Sequence, residues 1–370
     1  MKVVYFTHSL LSCWNHGNAH FLRGVLGDLR GRGHVVEALE PEGSWSLSNL
    51  LADAGESGLA PFRHAYPDLD PRPYAADAEV AALCAGADLV LVHEWNDPHL
   101  VAAIGALRRA GAPFTLLFHD THHRAVSDPE AIRTFDLEGY DGVLAFGETL
   151  AAVYRRWGWG DRVFVWHEAA DTAVFQPPPF EEERLGLVWI GNWGDDERSA
   201  ELESFLFRPA RSAGLSLDVF GVRYPAAALA TLGRYGVHYR GWLPNAAAPA
   251  TFALHLATVH VPRRFYTTSL PGIPTIRVFE ALACGIPLVS APWQDSEGLF
   301  TVGQDFLMAR DEAEMTGMLG DLQGDPGLRR SLRDHGLATL RARHTCAHRV
   351  DELLAILHRL DAAALRTASA

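Results

Sequence analysis

Thr275-Ile-Arg-Val-Phe-Glu-Ala-Leu-Ala-Cys-Gly-Ile-Pro-Leu-Val-Ser290 reads as a helix, a stop at Gly285-Ile-Pro287, and a buried strand immediately after. Glycine and proline together end a helix, and the short apolar run that follows suits a fully covered strand. Glu280 lies in the first half of that helix. An ionised carboxylate offers only acceptors, so it can take two ribose hydroxyls at once, while helix N-terminal amides favour a negatively charged diphosphate. A solvent-facing helical glutamate is the commonplace alternative.

Outward from this segment, strand-like runs alternate with helical patterns along the chain, which predicts an α/β fold with parallel sheets and crossover helices. In the first half the expected strands are Lys2–Thr7, His34–Leu39, Asp88–His93, Phe114–His119, Gly142–Phe146 and Val163–Trp166. Helices such as Leu100–Arg109 and Thr149–Trp157 fall between them. The second half repeats the pattern with Leu187–Ile190, Leu217–Phe220, Val237–Tyr239, Thr258–Val261 and Leu288–Ser290. Between the halves, Pro177, Pro178 and Pro179 precede Glu181, Glu182 and Glu183 and cannot lie inside an element. The expected organisation is an N-terminal domain over 1–172, a linker over 173–185, a second domain over 186–345, and a C-terminal helix and tail over 346–370. That last helix is placed at Arg349–Leu360, with the tail fraying after Asp361. Ligands in open parallel sheets bind beyond the carboxyl ends of the strands, so two such domains face to face would enclose a cleft.

The chain has 370 residues, 48% hydrophobic and 21% charged, which suits two ordinary globular domains. Its formal net charge of −13 argues against broad nucleic-acid binding and against attachment to an anionic membrane by charge. Cys13, Cys84, Cys284 and Cys346 are far apart and form no Cys-x-x-Cys pair, the pattern of a reduced cytoplasmic protein. The N-terminal apolar run is soon interrupted by Asn15, His16 and Asn18, so it reads as a first strand and not as a signal peptide or membrane span.

Phe279-Glu-Ala-Leu-Ala-Cys-Gly-Ile-Pro287 resembles the donor-site signature of GT-B glycosyltransferases, particularly the group-1 (GT4-like) and CgeB-like spore-protein glycosyltransferases. Gly17 and Arg32-Gly33-His34-Val35-Val36 resemble the N-terminal pattern of these enzymes. Ala170-Asp-Thr-Ala-Val-Phe175-Gln-Pro177 resembles their interdomain element, and Val188-Trp-Ile-Gly191-Asn192 their first donor-domain strand and turn. The resemblance implies two facing Rossmann-like domains, with the C-terminal helix returning toward the N-terminal one. It also implies transfer of a sugar from a nucleoside-diphosphate sugar to a hydroxyl acceptor, with retention of configuration. One departure stands out: GT4-like enzymes usually carry a first glutamate eight positions before the second, where this chain has Gly272.

In the loop Pro262–Arg277, Gly272 permits close backbone approach, and Arg263, Arg264 and Arg277 offer forked cations suited to a diphosphate. Surface ion pairing is the plain alternative for each arginine. Thr275 and Gly191 complete the expected donor set, with Arg198 near the place where family members put a phosphate-binding cation. Phe118-His-Asp-Thr-His-His-Arg124 follows a strand, and His119 matches the family's histidine beside the donor sugar. His119 and Asp120 are therefore the expected catalytic pair, with Asp120 orienting the ring or binding a hydroxyl. The loop Ser12-Cys-Trp-Asn-His-Gly-Asn18 supplies the expected acceptor side, with His16, Gly17, Asn18 and His20 as its candidates. A packed helical histidine is the alternative for His20. Trp14, Trp95, Trp193 and Trp293 are free to stack on a sugar or base, or to fill a core. GT-B enzymes do not usually need a protein-bound metal, and the resemblance implies neither metal nor cofactor. Two other functions fit the same pattern: a sugar-nucleotide epimerase of this fold, and a non-catalytic nucleotide-sugar-binding protein of surface assembly.

Overall fold

A computed structural model describes residues 1–178, 184–194 and 196–368. Residues 179–183 of the expected linker and Asp195 lie outside the described residues. The chain divides into two compact units. Unit 1 comprises Met1–Ser12, Leu22–Glu168 and Cys346–Ala370, and unit 2 comprises Cys13–Phe21 and Ala169–Thr345.

Unit 1 is built on seven parallel strands: β1 (Lys2–Phe6), β2 (Val35–Pro41), β3 (Arg72–Tyr74), β4 (Leu89–His93), β5 (Thr115–Asp120), β6 (Gly142–Ala145) and β7 (Val163–Val165). Their order is β3-β2-β1-β4-β5-β6-β7. Helices on both faces account for the unbroken apolar character of the central strands: Val3, Val4, Tyr5 and Phe6 are all fully buried, as are Leu89 through Val92. The edge strand β3, which sequence patterning misses, has only three residues and contains Pro73, which an edge tolerates. β5 runs one residue beyond the expected end and carries His119 and Asp120 into the buried layer.

Unit 2 carries six parallel strands: β8 (Leu187–Ile190), β9 (Leu217–Phe220), β10 (His238–Gly241), β11 (Ala257–His260), β12 (Leu288–Ser290) and β13 (Leu307–Met308). The order is β10-β9-β8-β11-β12-β13. The helix Ile276–Cys284 ends at Gly285, whose φ of 64° is left-handed, and leads through Ile286 and Pro287 into β12, as the opening segment predicts. Each sheet grows outward in both directions from a central pair, β1 and β4 in one and β8 and β11 in the other. The chain diverges at the carboxyl ends of these pairs, which is where such sheets leave room for a ligand.

The last helix is longer than expected, Cys346–Ala368, and belongs to unit 1. It is tied there by the fully buried Trp166, whose Nε1–H donates to the Arg349 carbonyl at 2.7 Å, and by Arg32, which pairs with Asp351 and donates to the Ala347 carbonyl at 2.9 Å. No described helix is long and apolar enough to cross a membrane. Trp166→Ala should cost unit 1 about 3–5 kcal/mol through the cavity and the lost indole hydrogen bond. Urea unfolding checks this: an unchanged midpoint would show that Trp166 is not what fastens the helix.

Candidate functional site

At the carboxyl end of sheet 2, Arg198 bridges the diverging strands. Its Nη2 donates to the Asn192 carbonyl just past β8 at 2.6 Å, and its Nη1 to the Val261 carbonyl just past β11 at 3.1 Å. The guanidinium sits 5.0 Å from the ring centroid of Trp189. Burial, with Arg263 and Arg277 adding to it, lowers the Arg198 pKa to about 9. Arg263 is paired with Glu197 at 2.7 Å and Arg277 with Glu280, whereas Arg264 turns to Glu201 at 3.2 Å on the exposed surface. The structure thus gathers Arg198, Arg263 and Arg277 and leaves Arg264 outside the group.

Thr275 precedes the Ile276–Cys284 helix, yet its side chain caps no helical amide. The reason lies in a chain of hydroxyls around His260, at the end of β11. Ser290 Oγ–H donates to the Ala291 carbonyl at 2.7 Å, so the Ser290 oxygen accepts from His260 Nδ1–H at 2.8 Å. His260 Nε2 is then the acceptor for the Thr275 hydroxyl at 3.1 Å. Burial lowers the His260 pKa to about 3, with Arg198 adding to it, so the ring is neutral. This relay turns the Thr275 side chain away from the first helical amides. Arg198, His260, Thr275 and Arg277 share a narrow pocket floored by Trp189, Ile190 and Val261.

Glu280 is fully enclosed. His20 Nδ1 stands 2.8 Å from its Oε1, and Arg277 donates to its Oε2. Burial would raise this carboxyl, but Arg277 and His20 more than offset it and hold it below the ordinary value. The His20 ring is itself fully buried, 4.3 Å from the Phe175 ring. The loop Cys13–Phe21, which holds the expected acceptor-side residues, packs with unit 2. Gly17 lies beside Arg277, His16 is buried, and the buried amide of Asn18 has neither nitrogen nor oxygen paired among the described residues. The physical reason is the Glu280 carboxylate, which needs His20 as a second partner.

Gly272 and Gly191 act through close packing. Gly272 has φ 99°, and a Cβ there would stand 2.0 Å from Ser296 Oγ, so a glutamate on this backbone would be strained and would displace Ser296. A Cβ on Gly191 would meet the Trp189 ring at 2.8 Å.

In unit 1, His119 and Asp120 are fully buried. His119 Nδ1 lies 2.5 Å from the Tyr5 hydroxyl, its ring is edge-on to Trp166 at 4.8 Å, and burial lowers its pKa to about 3. Asp120 accepts from the Tyr154 hydroxyl at 2.7 Å and from the His122 amide at 3.0 Å. Sequence reasoning missed the neighbour that completes this group, Glu94. Its side chain is fully buried, accepts from Arg124 at 2.6 Å, and is pushed up to about 8 by burial and by Asp120. Its position directly after β4 was readable, but the strand order that puts β4 beside β1 was not.

Residues 198–355 match the family model described as glycosyl transferase-like, somewhat less than half of the chain. No curated protein sequence matches. Among solved structures, sucrose-phosphate synthase from Thermosynechococcus elongatus is similar with a TM-score of 0.67 at 14% identity, over 98% of this chain and 100% of that one. HepE from Anabaena, in complex with UDP and glucose, is similar with a TM-score of 0.62 at 14% identity, over 97% and 100%. T4 phage BGT in complex with UDP-glucose gives 0.60 at 13%, over 96% and 99%. The fold is that of the GT-B glycosyltransferases. The GT-B likeness spans both units, whereas the family match begins at Arg198 and takes in Arg263, Arg277 and Glu280.

His119 and His260 stay neutral in the fold while the unfolded chain protonates them near the ordinary value of 6.5. Folded values below the unfolded one mean that stability is present above pH 6.5 and drains away as pH falls toward about 3. Unfolding curves between about pH 7 and 5 should lose stability on acidification, and His260→Gln should flatten the slope by about 1.4 kcal/mol per pH unit. An unaltered slope would mean that His260 already carries its proton in the folded protein.

Proposed function

We propose that the chain is a glycosyltransferase that moves a sugar from a nucleoside-diphosphate sugar to a hydroxyl acceptor. The observation that carries this reading is the end of sheet 2. Arg198, Arg263 and Arg277 converge there, beside a helix whose first amides the Thr275 side chain leaves uncovered. Three guanidiniums against Glu197 and Glu280 leave an excess of positive charge, which suits a diphosphate. Negative charge grows on that diphosphate as the glycosidic bond breaks, so fixed cations stabilise the transition state more than the bound donor. In this reading the arginines, and no protein-held metal, neutralise the leaving group. Arg198 is bonded through both terminal nitrogens to backbone carbonyls and acts as a preset charge that needs no reorganisation.

Glu280 is the proposed partner of the nucleotide ribose. Each carboxylate oxygen has a second lone pair beyond those turned to His20 and Arg277. The buried amide of Asn18, unpaired among the described residues, offers a further donor and acceptor in the same unit. The glycosyl transferase-like match over 198–355 and the GT-B solved structures with UDP or UDP-glucose support the donor class. The finer placement, among CgeB-like members of the GT4-like group and with retention, rests on the Phe279–Pro287 signature and is compatible with Gly272. A cytoplasmic setting is proposed from the four free cysteines.

Thermal-shift measurements with UDP-, GDP-, dTDP- and CDP-sugars should find one nucleotide that stabilises the protein, by about 2.7 kcal/mol at about 100 times its Kd. Glu280→Gln, which keeps the shape and removes the charge, should weaken that nucleotide about tenfold or more by calorimetry. Equal binding by both proteins would remove Glu280 from the site. Transfer should survive EDTA, and proton NMR of the first-formed product should show the donor's anomeric configuration. An inverted product would reject retention.

A further inference from the structure

Trp95 is an exposed tryptophan at the place in unit 1 where the strand order reverses. It follows β4, whose neighbour on one side is β1, and 41% of its surface is open to solvent. Single exposed apolar residues are ordinary on protein surfaces, so the exposure of Trp95 alone decides nothing, and its surroundings matter more. Here the Arg124 guanidinium lies over the indole, 3.9 Å from its centroid. Arg124 is fixed in turn by Glu94, donating to the carboxylate at 2.6 Å and to the backbone carbonyl at 2.5 Å. The loop beneath is pinned across the sheet. Asn96 Nδ2–H₂ donates to the Phe6 carbonyl of β1 and to the His93 carbonyl of β4, both at 2.8 Å. Two imidazoles border the ring, His122 edge-on at 5.2 Å and His8 tilted at 6.2 Å.

We infer that Trp95, with His8 and His122 at its rim, is the acceptor platform, and that the acceptor is an uncharged carbohydrate whose apolar ring face stacks on the indole. This rests on the transfer reading above. A pyranose presents a patch of C–H groups on one face and hydroxyls around its edge. A rigid indole bordered by imidazoles offers matching apolar surface and matching donors and acceptors. Burial, with Arg124 adding to it, lowers the His8 pKa to about 4, so at neutral pH the ring both gives and accepts hydrogen bonds. The ionisable groups behind the platform favour an uncharged ligand. With Glu94 pushed up to about 8 and Asp120 raised by burial as well, these carboxyls set up no fixed charge for an ion to pair with, and Arg124 is already engaged by Glu94 and by the indole face. An acceptor phosphate or carboxylate would meet a carboxyl-rich floor with no spare cation among these groups. Preorganisation is the second argument: a ring held by Arg124 and a loop held by Asn96 lose little freedom when a sugar docks.

Saturation-transfer NMR on the full chain, with methyl glycosides of glucose, galactose, mannose and N-acetylglucosamine and with maltose, lactose and cellobiose, tests the platform without any transfer. At least one of these sugars should receive saturation mainly on the protons of one ring face. Trp95→Ala should weaken that sugar about tenfold, while Trp95→Phe keeps most of the affinity. In transfer assays Trp95→Ala should raise the acceptor KM and leave donor affinity and acceptor-free donor hydrolysis within about twofold. Circular dichroism and unchanged donor binding establish that the variant is folded. The inference is overturned if no sugar of the panel binds, if Trp95→Ala binds as the parent does, or if a serine peptide accepts the sugar while the glycosides do not. Loss of nucleotide binding with retained sugar stacking would sink the donor reading and leave the platform standing.

Discussion

A carboxylate sealed from water sets the terms for unit 2. Glu280 has no exposed surface, and taking an ion out of water costs several kcal/mol unless partners replace its hydration. Arg277, one turn earlier on the same helix, supplies one partner, and His20 supplies the other. Because His20 sits far upstream in the chain, this requirement draws the loop Cys13–Phe21 into a unit otherwise made of residues after Glu168. Phe175 against the His20 ring closes the arrangement with apolar surface. The ion group therefore decides which unit owns a stretch of the N-terminal chain.

The two sheets share an architecture and differ in what stands at their carboxyl ends. In sheet 2, Arg198 crosses between β8 and β11, and a neutral histidine relay keeps a helix start clear. In sheet 1 the corresponding end holds Glu94, Asp120 and a single arginine beneath an exposed indole. Fold alone assigns no chemistry to either. The proposed roles rest on the side chains there, an anion at one end and an uncharged, partly apolar molecule at the other. Both ends are built from fixed groups, since the key side chains are bonded to backbone carbonyls or to buried partners.

Much of this was legible in the residues, and the gaps have identifiable causes. The helix–stop–strand reading of Thr275–Ser290 held because left-handed Gly285 and Pro287 are local signals that tertiary contacts do not override. β3 and β13 went unread because three-residue and two-residue edge strands carry almost no periodicity. His119 is expected beside the donor sugar; how far a residue at a strand end is covered depends on distant chain, here Tyr5 and Trp166. Arg263 and Arg264 are indistinguishable in sequence, yet one meets Glu197 inside the site and the other Glu201 at the surface. The pairing of His20 with Glu280 joins residues far apart along the chain, and no spacing rule reaches that far.

The C-terminal helix carries a consequence for how the molecule comes into being. Sheet 1 is made of early residues, but its unit is completed by Cys346 onward, through the Trp166 and Arg32 contacts to Arg349, Ala347 and Asp351. A ribosome releases those residues only after all of Ala169–Thr345 has emerged. The later-made unit can therefore collect nearly all its own chain and settle while the earlier-made one still waits with an uncovered apolar flank. Nascent chains of this protein should thus be most exposed to chaperones in their first half, late in translation.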